Sequence, residues 1–362
     1  MKEDLSILSE QGANDLAYSL LHAHKVEEKQ AHCVADNVVW NELVGRHNFG
    51  FQRFPVYLER LAAGGLNPNA APQLVPRGNT VALLDGDNGF GQYAGALGME
   101  AAIEMAAKSG VGIVGVRNSN FFGTGAFFAE QAAKRAMIGI ALSNSFPKVV
   151  AHGGLTSVFG TNPFAFGAPR QNGESLLVDI ATSSLAGSTV RELINNGQPL
   201  PEGLAIDKQG QPITDPAEVQ NGSLLPFAGA KGYCIAMLVE ILAGVLTGAG
   251  VSDGVKSVYA DLGTGGNNGH FMMAIDISRF MDMPVYFQRL EALTTTVKQS
   301  GTATSEVLLP GEIRWKNYHA NKASGIALSA SLISQLDTMA SDVGISAPWQ
   351  VPAHTPQRPN DR

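Results

Sequence analysis

The chain has 362 residues, a formal net charge of -7 and an apolar fraction of 44% against 16% charged residues. That length suits two or three packed units around a sizeable core. The acidic balance, with no run of Lys or Arg, speaks against a nucleic-acid or anionic-membrane partner.

The opening "MKEDLSILSEQGANDL" carries acids and helix formers, so it does not read as a signal peptide. Apolar residues at three-to-four spacing predict helices over 4–26 and 27–45, then a third from Arg53 to about Ala63, closed by Gly64-Gly65. "NTVALLDGDNGFGQ" reads as a strand running into a glycine turn, and 91–109 returns to helical spacing. Strand "GIVGVRNS", helix "GAFFAEQAAKRA" and strands "IGIALSNS", "NPFAFGAP" and "SLLVDIATS" follow, an interleaving that indicates an α/β core. "GQPLPEGLAIDKQGQPITDPAEVQNG" is rich in Pro, Gly and Asp and is expected to be a long surface excursion. "KGYCIAMLVEILAGVL" predicts a buried helix; the apolar run it belongs to is broken by Glu240 and short for a membrane span. A glycine-rich loop then feeds a strand, helices are expected near 280–300 and 322–343, and "QVPAHTPQRPNDR" is expected to be disordered. Cys33 and Cys234, far apart and flanked by apolar residues, fit reduced core thiols in the cytoplasm.

An α/β chain of this size invites a search for G-x-G-x-x-G between a strand and a helix. "GTGGNNG" at 263–269 has the glycines but precedes a strand, so it is expected to be a structural loop. No Walker loop, H-E-x-x-H, C-x-x-C or G-x-S-x-G is present, and the eight histidines are scattered without ligand spacing, so no metal is expected.

Nine stretches in register carry a resemblance: "GFQRFPVYLERL", "LDGDNGFGQ", "GVRNSNFFGTGAFFAEQAA", "IGIALSNSFP", "GGLTSVFGTNPFAFGAPR", "VDIATSSLA", "KGYCIAMLVEILAGVLTGA", "GHFMMAIDISRF" and "LLPGE". Together they resemble the malate/L-lactate dehydrogenase family of the non-Rossmann type, which includes ureidoglycolate and sulfolactate dehydrogenases, diketogulonate reductase and reductases of cyclic imino acids. The resemblance implies the α/β malate/L-sulfolactate dehydrogenase-like NAD(P)-binding fold, with a helical N-terminal region and a mixed α/β core, assembled as a homodimer. The expected units are 1–75, packing with the C-terminal part; 76–270, the cofactor and substrate core; 271–345, completing the first unit; and the tail 346–362. It further implies a nicotinamide cofactor, NADPH or NADH, held by Phe122, Gly123, Thr124, Gly125, Asp179, Ile180, Ala181, Lys231, Gly232, Pro310, Gly311 and Arg314. Gly123 and Gly125, just before a helix, would let backbone N–H groups approach a pyrophosphate. Arg53 matches the residue that grips a small carboxylate substrate, a task for which its planar fork suits two parallel bonds. Thr161 matches a substrate-contacting threonine.

The match fails where proton transfer is expected. Relatives carry a Ser-His pair where Asn48 and Phe49 stand, and some carry a histidine where "NSNFFG" has Phe121. An aspartate of the imino-acid reductases aligns with Thr189. Three readings follow. The substrate is an imine, whose protonated C=N⁺ accepts hydride without a general acid, in a pocket walled by Phe49 and Phe121. Or another donor has taken over, among His152, His47, Lys148 and Tyr57. Or hydride transfer is lost and the chain is a non-redox enzyme or a nucleotide-binding scaffold.

Overall fold

The computed structural model describes residues 6–185, 189–190, 193–194, 196–302 and 305–350. Strand β1 (Ser6–Leu8) leads into α1 (Glu10–Ala23), whose N-cap Ser9 accepts the Gly12 amide on its hydroxyl at 3.0 Å. Helices α2 (Glu28–Leu43) and α3 (Phe54–Ala62) follow. The core then alternates β2 (Gln73–Pro76), β3 (Val81–Asp85), α4 (Gly91–Ser109), β4 (Val111–Ser119), α5 (Gly125–Ala133) and β5 (Met137–Ser143). Short strands β6 (Val149–Val150) and β7 (Ser157–Phe159) precede β8 (Phe164–Ala168) and β9 (Leu176–Ile180). Strands β10 (Ala205–Ile206) and β11 (Ser223–Leu224) come before α6 (Ala230–Val239), which runs on through a π-helical turn, Glu240–Val245. The chain closes with β12 (Asn268–Asp276), α7 (Met283–Gln299), α8 (Glu312–Ser324), β13 (Ile326–Leu328) and α9 (Ala330–Asp342).

Seven strands form the main sheet in the order β2-β3-β4-β12-β5-β8-β9. Only β3 and β4 are parallel, as the α4 crossover between them requires; the remaining pairs are antiparallel. The centre of the sheet is β12, so the expected unit boundary after residue 270 falls inside a strand and is corrected. Helices α4 and α5 cover one face through Met99, Phe128, Val114, Val116 and Met272. The α6 segment covers the other through Val239 and Ala243 against Leu142 and Phe271. A second core joins the chain's two ends: Leu16, Leu20, Phe51, Phe54 and Tyr57 pack with Ile326, Leu332 and Leu336, and β1 pairs with β13. Each fully buried Leu or Phe there stabilises the fold by about 1.5–3 kcal/mol.

Several expectations need correction. The excursion over 197–222 is no mere surface loop. Its Leu200, Ala205, Ile213 and Val219 join Val149, Phe159, Leu224 and Ala236 in a separate small core beneath a four-stranded sheet, β10-β11-β6-β7. The α6 segment is not buried all round, because Leu238, Ile241, Val245 and Leu246 are exposed, as is Cys234. Cys234 is therefore no core thiol, although both cysteines are free. Residues 346–350 of the expected tail dock, with Ala347 buried and Trp349 Nε1 donating to Asp337 Oδ1 at 2.7 Å; 351–362 lie outside the described residues.

Candidate active site

The segment after α2 is shaped by a buried carboxylate. Glu42, in the helix's last turn and fully buried, accepts the Phe51 amide on Oε1 at 2.7 Å and pairs through Oε2 with His47 Nδ1 at 2.5 Å. A Cβ at Gly50 would collide with this carboxylate, so the chain can wrap around it only with glycine there. Two short 3₁₀ turns result, His47–Phe49 and Phe51–Arg53. The hydrogen bond to Glu42, helped by its charge and opposed by partial burial, raises the His47 pKa above the usual imidazole value.

Arg53 is 8% exposed. Its Nε donates to the Asn48 carbonyl at 2.6 Å, and Nη1 donates to Tyr259 Oη at 2.5 Å. Its Cζ lies 5.0 Å from the Phe121 ring centre, 5.5 Å from Phe49 and 6.0 Å from Tyr259, distances at which aromatic faces attract a cation. Phe49 and Phe121 stack at 6.1 Å with 9° between their planes. The two rings that replace the expected imidazoles therefore form one wall against the guanidinium, while Nη2 has no protein partner among the described residues. Tyr259 also meets Phe146 edge-on at 6.2 Å. Phe146 follows Ser145, whose amide donates to Asn162 Oδ1 at 3.2 Å, which places Thr161 in the same neighbourhood. Behind that threonine, buried Glu240 accepts Asn162 Nδ2 at 2.7 Å and the Ser252 amide at 2.9 Å.

Three of the implied cofactor stretches converge. Asp179 accepts the Ala126 amide at the start of α5 at 3.3 Å and pairs with Arg314 Nη2 at 3.3 Å. Pro310 accepts the Leu177 amide at 3.1 Å, so the turn carrying Gly311 lies against β9. Burial raises the Asp179 pKa, opposed chiefly by Arg314, and lowers that of Arg314, opposed by Asp179. Asp179 thus takes the Ala126 amide, one residue beyond the Gly123 and Gly125 amides expected to approach a pyrophosphate. Room for a polar ligand remains: Arg314 Nη1 and Asn37 Nδ2 are buried without a protein partner among the described residues, and Ile180 is 44% exposed beside Asp179. Gly123, at φ +82°, passes so close to Asn37 that a Cβ would come within 2.6 Å of Oδ1, and Thr124 donates to Asn41 Oδ1 at 2.8 Å. The fourth stretch joins through Ala181: the Phe227 amide donates to the Thr182 carbonyl at 3.0 Å, and the Gly232 amide donates to Phe227 at 3.0 Å. Lys231 is exposed in the first turn of α6. These unpaired polar groups beside an exposed apolar side chain fit the nucleotide part of a dinucleotide.

The four expected donors separate. Tyr57 is buried, takes the Gln92 amide on Oη at 2.6 Å, and burial pushes its phenol well up. Lys148 donates to the Gln220 and Gly222 carbonyls at 3.0 and 3.3 Å, with its pKa lowered by burial. Lys148 is thus tied to backbone carbonyls, while the Tyr57 hydroxyl accepts from Gln92 in a buried setting. His152 is exposed beside Gly229, ahead of α6, without a hydrogen bond among the described residues. His47 alone has a carboxylate behind its ring. Three site groups escaped the sequence reading: Glu42, Tyr259 and His270. An acid at a helix C-terminus opposes the dipole, so Glu42 in "WNELVG" was a readable hint of a specific partner. His270, fully buried, contacts Ser143 Oγ through Nδ1 at 2.8 Å and Ser119 Oγ through Nε2 at 2.9 Å. It also stacks on Phe122 at 4.7 Å, and burial lowers its pKa to about 3, so it is neutral.

The fold is shared with known dehydrogenases. The malate/L-lactate dehydrogenase family model matches residues 8–337. The chain is 35% identical over 343 residues to the malate/(S)-sulfolactate dehydrogenase of Methanothermus fervidus, covering 95% of this chain and 100% of that one. It is 32% identical to a Δ1-pyrroline-2-carboxylate/Δ1-piperideine-2-carboxylate reductase of Pseudomonas syringae pv. tomato, over 90% of this chain and 94% of that one. The solved sulfolactate dehydrogenase of Methanocaldococcus jannaschii superposes with a TM-score of 0.88 at 34% identity, covering 94% of this chain and 98% of that one. The chain belongs to the malate/L-lactate dehydrogenase family. Within it, the protein is an oxidoreductase that uses a nicotinamide cofactor.

Proposed function

We propose that the protein reduces a 2-imino carboxylic acid with NADPH or NADH, and that a 2-oxo acid is the slower alternative. The observation that carries this reading is the enclosure of the Arg53 guanidinium by Phe49 and Phe121, at 5.5 and 5.0 Å. The guanidinium offers the substrate carboxylate a charge-assisted bond from Nη2. The rings beside it donate no proton. A ketone develops charge on oxygen as hydride adds, and a positioned acid accelerates that step by about 10²–10⁴-fold. A protonated imine already carries its charge and keeps most of its reactivity without that help.

When bound, the nicotinamide supplies the hydride. The chain's own groups suited to hold it are Phe122 to Gly125, Asp179 to Ala181, Lys231-Gly232, and Pro310 to Arg314, with buried Arg314 Nη1 free to meet an oxygen of the nucleotide. Two surfaces support a homodimer: Leu238, Ile241, Val245 and Leu246 on the α6 segment, and Val285 and Leu293 on α7, are exposed apolar side chains, and such patches mark protein contacts. Two free cysteines suit the reducing cytoplasm.

A second reading has its own support. His47, half-exposed and backed by Glu42 at 2.5 Å, has the build of an acid–base imidazole; it would serve a 2-oxo acid. The test is cofactor oxidation, followed at 340 nm, with a cyclic 2-imino acid and with pyruvate or oxaloacetate. The imine reading expects turnover with the first and little with the others, and Phe49→His is expected to raise keto-acid turnover at least tenfold. Keto-acid turnover equal to imine turnover in the unmodified protein, lost in His47→Ala, would establish the second reading instead.

A further inference from the structure

Besides His47, which the Glu42 carboxylate holds from behind, the imine reading needs a carrier for one proton. Hydride addition to a C=N⁺ turns its π pair into a nitrogen lone pair, and the neutral amine so formed can push the hydride back to the oxidised nicotinamide. Protonation of that lone pair commits the product. Neither Phe49 nor Phe121 can supply the proton, Lys148 donates to the Gln220 and Gly222 carbonyls, and Tyr57 is buried against Gln92 with no hydrogen bond to Arg53 among the described residues. One hydroxyl does stand on the guanidinium that grips the carboxylate: Tyr259 Oη, 2.5 Å from Arg53 Nη1.

We propose that Tyr259 is the proton donor of this site, giving its phenolic proton to the atom at C2 of a carboxylate held by Arg53. The C2 substituent of a 2-imino acid is one bond removed from the carboxylate carbon. A carboxylate seated on the edge of Arg53 at Nη2 therefore brings that substituent alongside the group bound to Nη1. The proton leaves Oη for the nitrogen lone pair, the N–H bond forms, and the phenolate left behind faces the guanidinium that already holds it. Tyr259 is 52% exposed, so water returns the proton without any opening of the fold. Its ring is held by Arg53 at 6.0 Å and Phe146 at 6.2 Å, contacts that do not involve the hydroxyl.

The inference rests on the reductase reading of Arg53, and the experiment separates the two. Tyr259→Phe keeps both ring contacts and removes only the hydroxyl. Pyridine-2-carboxylate, a flat C=N carboxylate that is not reduced, serves as the binding probe, titrated calorimetrically into the protein with NADP⁺ or NAD⁺ present. Steady-state turnover is measured with Δ1-pyrroline-2-carboxylate. The expected result is a kcat lowered by about tenfold, less than the full general-acid factor because hydride addition to the charged imine needs no acid, with KM and pyridine-2-carboxylate affinity unchanged. An unchanged kcat overturns the proposal. So does joint loss of kcat and probe affinity, which would make Tyr259 a prop for Arg53, and so does a gain in probe affinity at full kcat, which would make it a latch over the clamp. Wild-type protein that binds the probe yet oxidises neither cofactor with imino or oxo acids overturns the reductase reading and this proposal with it.

Discussion

Replacing Glu42 by Gln alters one atom and tests how the substrate loop is held. In the wild type the carboxylate bonds the Phe51 amide at 2.7 Å and His47 at 2.5 Å. A hydrogen bond to a charged group contributes about 1.5–3 kcal/mol and a neutral one about 0.5–1.5. Glutamine keeps the Phe51 bond in neutral form and weakens the His47 bond, whose ring is half in water and therefore counts at the low end. The expected loss at pH 6 is about 1–3 kcal/mol, read from urea unfolding. Its pH dependence is the sharper check. Because the folded pKa of His47 is raised, the folded state binds the proton more tightly than the unfolded one. That stabilisation is fully present below the unfolded value of about 6.5 and disappears as pH rises through the folded value. The two proteins should differ most near pH 6 and approach each other toward pH 9, where only the Phe51 bond separates them. Parallel curves across that range would refute an ionic His47–Glu42 link and leave Glu42 as a backbone cap alone.

Arg53→Lys removes the planar fork along with its bonds to Asn48 and Tyr259; the KM for the carboxylate substrate is expected to rise by roughly 10- to 100-fold, while cofactor affinity measured by fluorescence titration stays near wild type. His270 titrates in the opposite sense to His47. Its folded pKa near 3 lies below the unfolded value, so the unfolded state takes up the proton first and stability falls with acid between about pH 6.5 and 3, by on the order of 4 kcal/mol at the lower end. Acid unfolding followed by far-UV circular dichroism should show that slope, and His270→Asn should flatten it.

Periodic elements were legible from the sequence, and isolated ones were not. Helix α4 shows an unbroken three-to-four pattern and ends at Gly110 in the left-handed region, so its limits are fixed by local chemistry. Helix α8, "EIRWKNYHANKAS", buries only Arg314 and Trp315; with so little apolar stripe, its helical state depends on packing against α2 and β9. The small core under β10 and β11 draws Leu200, Ala205, Ile213 and Val219 from irregular chain, where no period announces burial. Uniform apolarity misled in the other direction: the α6 segment reads as core, yet one face is open. Within the site, Arg53 was readable from its motif, but Tyr259 lies 206 positions away along the chain. No local pattern links such a pair.

The position of β12 has a consequence for biosynthesis. Its pairing partners β4 and β5 are complete by residue 143, whereas β12 begins at Asn268. Until the ribosome has delivered that late segment, the nascent chain carries two part-sheets with bare edges, the arrangement most prone to strand-to-strand aggregation. The β1–β13 pairing, joining residues 6–8 to 326–328, waits longer still. Assembly of the substrate clamp is therefore a late, long-range event, and truncations that stop short of residue 276 should yield insoluble chains rather than a smaller folded unit.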